Sequence, residues 1–165
     1  MILICYDGSA DARSAIEHAA ELFRDEPVTV LTVWQPFMEI AARSSMGFGL
    51  VPSISDPTEV DKASEKAATQ TAKEGVGLAT KLGMKAQPVV CSQRTTTARA
   101  ILAQAERAGA QAIVMGSRGL TGVKSLLLGS VSHEVIQHAD RTVVVVPSPE
   151  VAKSRAREAK EEDAD

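Results

Sequence analysis

The amino-acid sequence predicts an α/β domain in which a five-stranded parallel sheet, in the order 3-2-1-4-5, carries helices on both faces. Short apolar runs, typical of strands that are buried on both faces, recur along the chain. Between them lie segments whose apolar residues recur every three or four positions, as in helices. Glycine-containing links connect strands to helices near both ends of the domain. Together these observations indicate a doubly wound fold.

The first strand is predicted over residues 1–6, a nearly uninterrupted apolar run. Ser9 follows as a good N-cap, so a helix should run from there to about Arg24. The next strand covers residues 28–34, and the short links imply a right-handed parallel crossover. The apolar stripe of this first helix comprises Ala12, Ile16, Ala19 and Phe23.

Residues 35–56 contain prolines, glycines and serines without a sustained period. We interpret them as a long, mobile excursion at the carboxyl edge of the sheet, where ligand-binding loops lie. Two alternatives stay open for its apolar side chains, which either cover a ligand or a partner or belong to a disordered flap. These side chains are Met38, Met46, Phe48 and Leu50.

The second helix is predicted to start at Asp56 and Pro57, which suit the N-cap and the first helical position. It should end at Gly83, and Gly75 and Gly77 should weaken its second half, leaving a frayed or bent end.

The remaining elements follow the same alternation. A third strand over residues 84–91 contains Pro88, which is typical of a sheet edge. A helix over residues 95–109 leads to the apolar run 112–116, and a further helix and strand complete a domain ending at residue 148. The tail, residues 149–165, is charged and lacks an apolar stripe, so disorder or a solvated helix is expected.

Composition restricts the function. The chain has 165 residues, a formal charge of −3, a pI near 5.7 and 3% aromatic residues, which disfavours nucleic acid and anionic membranes as partners. No apolar run approaches the length of a membrane span, and no basic leader precedes the first strand, so we expect a cytoplasmic protein. Cys5 and Cys91 fit buried thiols, and the histidines and cysteines show no metal-ligand spacing.

A glycine motif marks the candidate site. Gly116 ends the fourth strand, Gly119 follows, and nine residues later Gly129 and Ser130 open a helix. Glycines allow backbone N–H groups to approach an anion without an intervening Cβ and permit φ > 0. The helix N-terminus should bind phosphate at the same place, so the unit is typical of nucleotide-binding α/β domains.

Polar side chains near this motif have open roles. Asp7 ends the first strand beside the glycine loop, where it would bind ribose, bind a metal or cap the next helix. Ser130 and Ser132 lie where they would contact phosphate, and Ser130 would also serve as a helix cap. Arg118 and Lys124 would add charge-assisted contacts to phosphate, although Lys124 equally fits a solvated lysine.

Three segments resemble the universal stress protein family: Asp7-Gly8-Ser9, the GSRG…LLGSVS run at 116–132, and VVVVP at the last strand. The resemblance covers about residues 1–148. The nucleotide-binding members of that family carry the pattern G-2x-G-9x-G-S/T, which this sequence satisfies at Gly116, Gly119, Gly129 and Ser130.

The resemblance implies a Rossmann-like single domain that binds ATP, or ADP or AMP, with Mg²⁺ held through the phosphates. Asp7 would bind the ribose, Val33 would contact the adenine, and Met115 would line the site. The phosphates would be wrapped by the loop glycines together with Ser130, Val131 and Ser132.

We therefore expect a nucleotide-binding regulatory protein with at most slow ATP hydrolysis or autophosphorylation. Enzymatic function stays uncertain, because the sequence has no GxxxxGK[ST] loop, and His133 fits a surface histidine better than a base. The alternatives are a nucleotide-free dimeric interaction module and an enzyme acting at the α-phosphate of ATP.

A homodimer is also expected. Residues 142–147 form an apolar strand that the predicted order leaves at the sheet edge. Antiparallel pairing with the same strand of a second copy would satisfy that edge, and the family resemblance implies the same arrangement.

Overall fold

A computed structural model describes residues 1–45, 56–120 and 128–162. Strands and helices alternate along the chain, and the five strands form one parallel sheet in the order β3-β2-β1-β4-β5. The predicted fold and strand order are thus confirmed. The strands are β1 (Ile2–Cys5), β2 (Val28–Trp34), β3 (Ala86–Ser92), β4 (Ala112–Gly116) and β5 (Thr142–Val146).

Helices pack on both faces of this sheet. Within the described residues they are α1 (Ala10–Leu22), α2 (Phe37–Ser45), α3 (Pro57–Lys81), α4 (Thr97–Arg107), α5 (Ser130–His138) and α6 (Pro149–Glu162). One core cluster lies between the sheet and the helices α1 and α3, and the other lies between the opposite face and the helices α4 and α5. None of the helices in these three described segments combines the length and apolar content needed to cross a membrane.

The predicted helix caps are confirmed by their geometry. The Ser9 hydroxyl accepts a hydrogen bond from the backbone N–H of Ala12 at 3.2 Å, which satisfies a donor in the first turn of α1. The Asp56 carboxylate accepts one from the N–H of Thr58 at 2.9 Å, and Pro57 occupies the first turn of α3. Both caps orient helices that cover the same face of the sheet.

Helices form in two segments for which the sequence predicted less order, the excursion at residues 35–56 and the tail at residues 149–165. The excursion was expected to be mobile, and the tail was expected to be disordered or a solvated helix. Helix α2 occupies the first part of the 35–56 excursion, and residues 46–55 lie outside the described residues. Its first turn is anchored because the Asp61 carboxylate accepts a hydrogen bond from the N–H of Phe37 at 2.6 Å. Helix α6 forms in the tail, where Val151 is buried although no apolar stripe was expected to pack.

Strand β5 lies at a sheet edge, as predicted, and pairs with β4. Its valines pack within the chain on both faces. Val146 is buried in the α1–α3 cluster with Val144 packed against it, and Val143 and Val145 pack against the α4–α5 cluster. The opposite edge strand β3 contains Pro88, as its composition predicted.

Helix α3 is continuous through Gly75 and Gly77, and the two glycines have different surroundings. A Cβ at Gly75 would lie 2.8 Å from the Tyr6 ring and 2.8 Å from a methyl group of Val30, whereas a Cβ at Gly77 would meet nothing within 4 Å. Gly75 therefore allows α3 to approach the sheet closely, and the expected fraying at this point is not seen.

This difference predicts opposite effects for two matched substitutions. Gly77→Ala should raise the free energy of unfolding by about 1 kcal/mol, because alanine favours the helix. Gly75→Ala should lower it by about 1–3 kcal/mol, because the added methyl group overpacks the contact with Tyr6 and Val30. Urea unfolding of both variants measures the difference. Equal stabilisation by the two alanines would contradict the close packing at Gly75.

Candidate nucleotide-binding site

A cavity of about 440 Å³ opens at the carboxyl ends of β1 and β4, where the strand order reverses. Ligands of open α/β sheets bind at such a point. The cavity brings together all ten residues that the sequence singled out: Asp7, Val33, Met115, Gly116, Arg118, Gly119, Gly129, Ser130, Val131 and Ser132. Lys124 lies outside the described residues.

The loop after β1 contacts the loop after β4 directly. A Cβ at Gly119 would lie 2.7 Å from the Oδ2 atom of Asp7, so a side chain there would displace the carboxylate. The other carboxylate oxygen of Asp7 accepts a hydrogen bond from the N–H of Ser9 at 2.9 Å. Asp7 thus borders the glycine loop as expected, and one of its oxygens is engaged in the turn before α1.

The structural role of the motif glycines differs from what the sequence indicated. Positive φ is found in the described residues at Gly8, Gly83 and Gly109, and Gly129 has a φ of −72°. The motif glycines therefore do not use the positive φ that glycine permits. A Cβ at Gly116 would lie 2.7 Å from the carbonyl carbon of Asp11, so this glycine is required by packing against α1.

Asp11 and Ser117 form a buried contact that the sequence analysis missed. The Ser117 hydroxyl donates to Oδ2 of Asp11 at 2.7 Å, and the N–H of Arg118 donates to the same oxygen at 3.0 Å. Nε of Arg118 lies 3.8 Å from this oxygen. The sequence carried no signal for this role, because Asp11 resembles any acidic residue in a first helical turn.

The N-terminus of α5 points into the cavity without a side-chain cap. Gly129 is the N-cap, and Ser130 is the first helical residue, so Ser130 is not the cap itself. The Ser132 hydroxyl is buried, and its single hydrogen is shared between the carbonyl oxygens of Ser117 and Gly129, which lie 2.8 and 2.9 Å from Oγ. The hydroxyl hydrogen of Ser132 therefore holds the glycine loop in this structure, and the contact of Ser132 with phosphate stays a prediction.

The inner end of the cavity is apolar. Burial, followed by the charges of Asp7 and Cys91, raises the pKa of the Cys5 thiol to about 12. The thiol therefore stays protonated at neutral pH and lines the cavity as a small apolar group. Sequence reasoning did not assign the further lining residues at this end, which are Cys5, Leu31, Thr97 and Ile101.

Tyr6 links the cavity to α3. Its hydroxyl donates to Oε1 of Glu74 at 2.9 Å, and Arg13 forms an ion pair with the same carboxylate. Burial, followed by the hydrogen bond to Glu74, raises the pKa of Tyr6 to about 12. The phenol therefore remains a hydrogen-bond donor at neutral pH and connects β1 with α3.

A second, more open cleft of about 970 Å³ runs between β3 and α4. Its basic side chains include Arg141, whose guanidinium donates to the carbonyl oxygens of Ala105 and Ala110 at 2.9 and 2.8 Å. Arg141 thus satisfies the end of α4.

Within residues 1–45, 56–120 and 128–162, no group of three or more His, Cys, Asp or Glu is arranged to hold a metal ion.

A model of the Universal stress protein family matches residues 1–147. The chain belongs to this family. Two curated relatives are the universal stress protein YxiE of Bacillus subtilis (strain 168) and the universal stress protein MJ0531 of Methanocaldococcus jannaschii. YxiE is 29% identical over 88% of this chain and 97% of its own length, and MJ0531 is 30% identical over 90% of this chain and 82% of its own length.

Solved structures share the fold. The hypothetical protein MJ0577 aligns with a TM-score of 0.70 and 26% identity over 88% of this chain and 94% of its own. A universal stress protein from Archaeoglobus fulgidus in complex with dAMP has a TM-score of 0.60 and 23% identity over 88% of this chain and 95% of its own. A family protein from Arabidopsis thaliana with AMP bound has a TM-score of 0.59 and 15% identity over 88% of this chain and 90% of its own.

The two loop glycines should respond differently to alanine. Gly116→Ala should lower the free energy of unfolding by about 3 kcal/mol, because its methyl group meets backbone atoms of α1 that cannot move aside. Gly129→Ala should cost about 1 kcal/mol or less, because its φ suits any residue and its nearest contacts are 3.4 Å away. Urea unfolding compares them, and a smaller loss for Gly116→Ala would contradict the packing assignment.

Proposed function

We propose that this universal stress protein binds an adenine nucleotide, ATP in particular, in the cavity between β1 and β4 and acts as a dimeric regulatory protein through nucleotide-dependent interactions. The observation that carries this proposal is that all ten predicted site residues line one cavity at the point where the strand order reverses. The cavity volume of about 440 Å³ suits a small ligand.

The N-terminus of α5 supplies the phosphate-binding end. Backbone N–H groups in the first turn of a helix have no intrahelical partner, and Gly129 offers no side chain to cap them. The positive end of the helix dipole lies at the same place, so phosphate oxygens would receive several donors there. Arg118 lines the same cavity and adds a cation.

The opposite end suits a base and a ribose. The carbonyl oxygen of Leu31 accepts a hydrogen bond from the N–H of Tyr6 at 2.9 Å, so the backbone groups of Leu31 face β1. Backbone groups two residues apart on a strand point to the same side, so the N–H and C=O of Val33 also face that side, beyond the last residue of β1. A donor and an acceptor on one residue match the N1 and 6-amino group of adenine, and Asp7 would bind the ribose hydroxyls.

The related proteins support the ligand class. The family proteins from Archaeoglobus fulgidus and Arabidopsis thaliana hold dAMP and AMP, respectively. For ATP, we propose that Mg²⁺ is held through the phosphates. Oδ2 of Asp11 accepts hydrogen bonds from Ser117 and Arg118, so this carboxylate holds the loop, and we propose a role in binding rather than catalysis.

A charge placed at the start of α5 tests the phosphate site. Ser130→Asp should lower the affinity for ATP and AMP at least about tenfold, because a carboxylate at an exposed helix N-terminus occupies and repels the anion position. The helix itself should remain stable, since an acidic residue is favourable there. Isothermal titration calorimetry measures both affinities.

Ser130→Asn is the matched control, because it has the same shape without the charge and should bind ATP within about threefold of the wild type. Adenosine, which has no phosphate, should bind both variants equally. Unchanged ATP affinity in Ser130→Asp would place the phosphates elsewhere. A wild type that binds no adenine nucleotide would favour a nucleotide-free interaction module, and release of AMP and pyrophosphate from ATP would favour an enzyme.

The dimer is proposed to form through residues 142–147. Val146 accepts a hydrogen bond from the N–H of Ser117 at 2.8 Å, so its backbone groups face β4. The groups of Val143 and Val145 alternate with it and point away from the sheet, toward the outer edge. Exposed edges of this kind template pairing with another strand, and an antiparallel pair about a two-fold axis would satisfy both copies.

Val145→Pro should convert the dimer to a monomer, because it removes an outward N–H while retaining the bonds of β5 to β4. Val145→Ala is the control, since it also loses the valine methyl groups but keeps the N–H, and it should remain dimeric. Light scattering at micromolar concentration measures the mass, and circular dichroism verifies the fold. Monomeric wild type, or equal masses for the two variants, would contradict this interface.

A further inference from the structure

Thr97 lies in the first turn of α4 and lines the cavity beside Ile101, which follows one helical turn later. The neighbouring lining residues at this end, Cys5, Leu31 and Val33, offer no polar side chain apart from a thiol that stays protonated. The Thr97 hydroxyl is therefore the main side-chain group that can distinguish one base from another at this end of the cavity.

The buried amide of Gln93 sets the direction of that hydroxyl. Gln93 is 1% exposed, and its backbone N–H donates to the carbonyl of Trp34 at 2.7 Å. Its Nε2 donates to the carbonyl of Thr95 at 3.1 Å, so Oε1 must face Thr97. The Thr97 hydroxyl donates its hydrogen to this Oε1 at 2.6 Å.

A hydroxyl has one hydrogen and two lone pairs, so Thr97 can only accept a further hydrogen bond. An amino group on a ligand base would donate to it favourably. A carbonyl oxygen at the same position would face the lone pairs of Thr97 and lose its own hydration without a new partner.

We propose that Thr97, oriented by Gln93, determines the base specificity of the cavity by accepting a hydrogen bond from the 6-amino group of a purine. The inference rests on the proposed adenine-nucleotide site and adds a side chain that selects the base. The backbone of Val33 would engage one hydrogen of the amino group, and Thr97 would engage the other.

Two ligands with a different group at position 6 of the base test this role. Purine riboside triphosphate carries hydrogen there, and inosine triphosphate has the oxo group there and hydrogen on N1. The wild type should bind ATP more tightly than either. Thr97→Val, which keeps the side-chain shape, should weaken ATP by about three- to tenfold and leave purine riboside triphosphate unchanged, since one hydrogen bond is lost only with ATP.

Thr97→Ser retains the hydroxyl and should keep the wild-type ratio of affinities for ATP and purine riboside triphosphate. Thermal unfolding shows whether each variant is folded. Because Thr97→Val leaves Oε1 of buried Gln93 without its donor, the double variant Gln93→Met with Thr97→Val serves as a second probe in which both partners are apolar. The double variant should also lose the part of the preference for ATP over purine riboside triphosphate that Thr97 provides.

An unchanged ratio of ATP to purine riboside triphosphate affinity in the folded Thr97→Val variant, or in the double variant, would overturn the role of Thr97 while leaving nucleotide binding intact. If the wild type binds ATP and purine riboside triphosphate equally, the role of Thr97 is likewise overturned. A wild type that binds none of the three nucleotides would overturn the proposed function as well, so the two failures are distinguishable.

Discussion

The hydrogen bonds of Ser117 hold the candidate site together. Its N–H donates to the carbonyl of Val146 at 2.8 Å, and its hydroxyl donates to Asp11 at 2.7 Å. Its carbonyl accepts from the N–H of Gly129 and from the hydroxyl of Ser132, both at 2.8 Å. Ser117 is fully buried, so loss of the bond made by its N–H or by its hydroxyl would leave that group without a partner. One residue thus joins β5, α1 and the start of α5.

This constraint explains why the cavity lies where it does. The Asp11–Ser117 contact draws the first turn of α1 against the end of β4, and only glycine at position 116 leaves room for that approach. The turn carrying Asp7 is then close to Gly119, and the uncapped end of α5 faces the same space. A ligand would meet donors that folding has already positioned, which reduces the entropy lost on binding.

The cavity divides its chemistry between two ends. The phosphate end relies on the backbone and the helix dipole, which act on any phosphorylated ligand alike. At the proposed base end, the open backbone edge of β2 and the hydroxyl of Thr97, which donates to Gln93, would select the base. In this proposal, phosphate binding and base selection depend on different residues.

The sequence by itself determined the fold class, the strand order, the caps of α1 and α3 and the ten residues around the cavity. The fold class and the caps follow from local patterns of apolar runs, helical periodicity and glycine spacing. The strand order was predicted because Pro88 favours an edge position for the third strand, and the family resemblance implied the same order. The resemblance also supplied Val33 and Met115 among the ten residues. Only the tertiary structure decided why Gly75 and Gly116 are glycines, because their contacts lie on elements distant in sequence. Asp11, Gln93 and Thr97 were missed for the same reason, since the partners that define their roles come together only when the strands and helices pack.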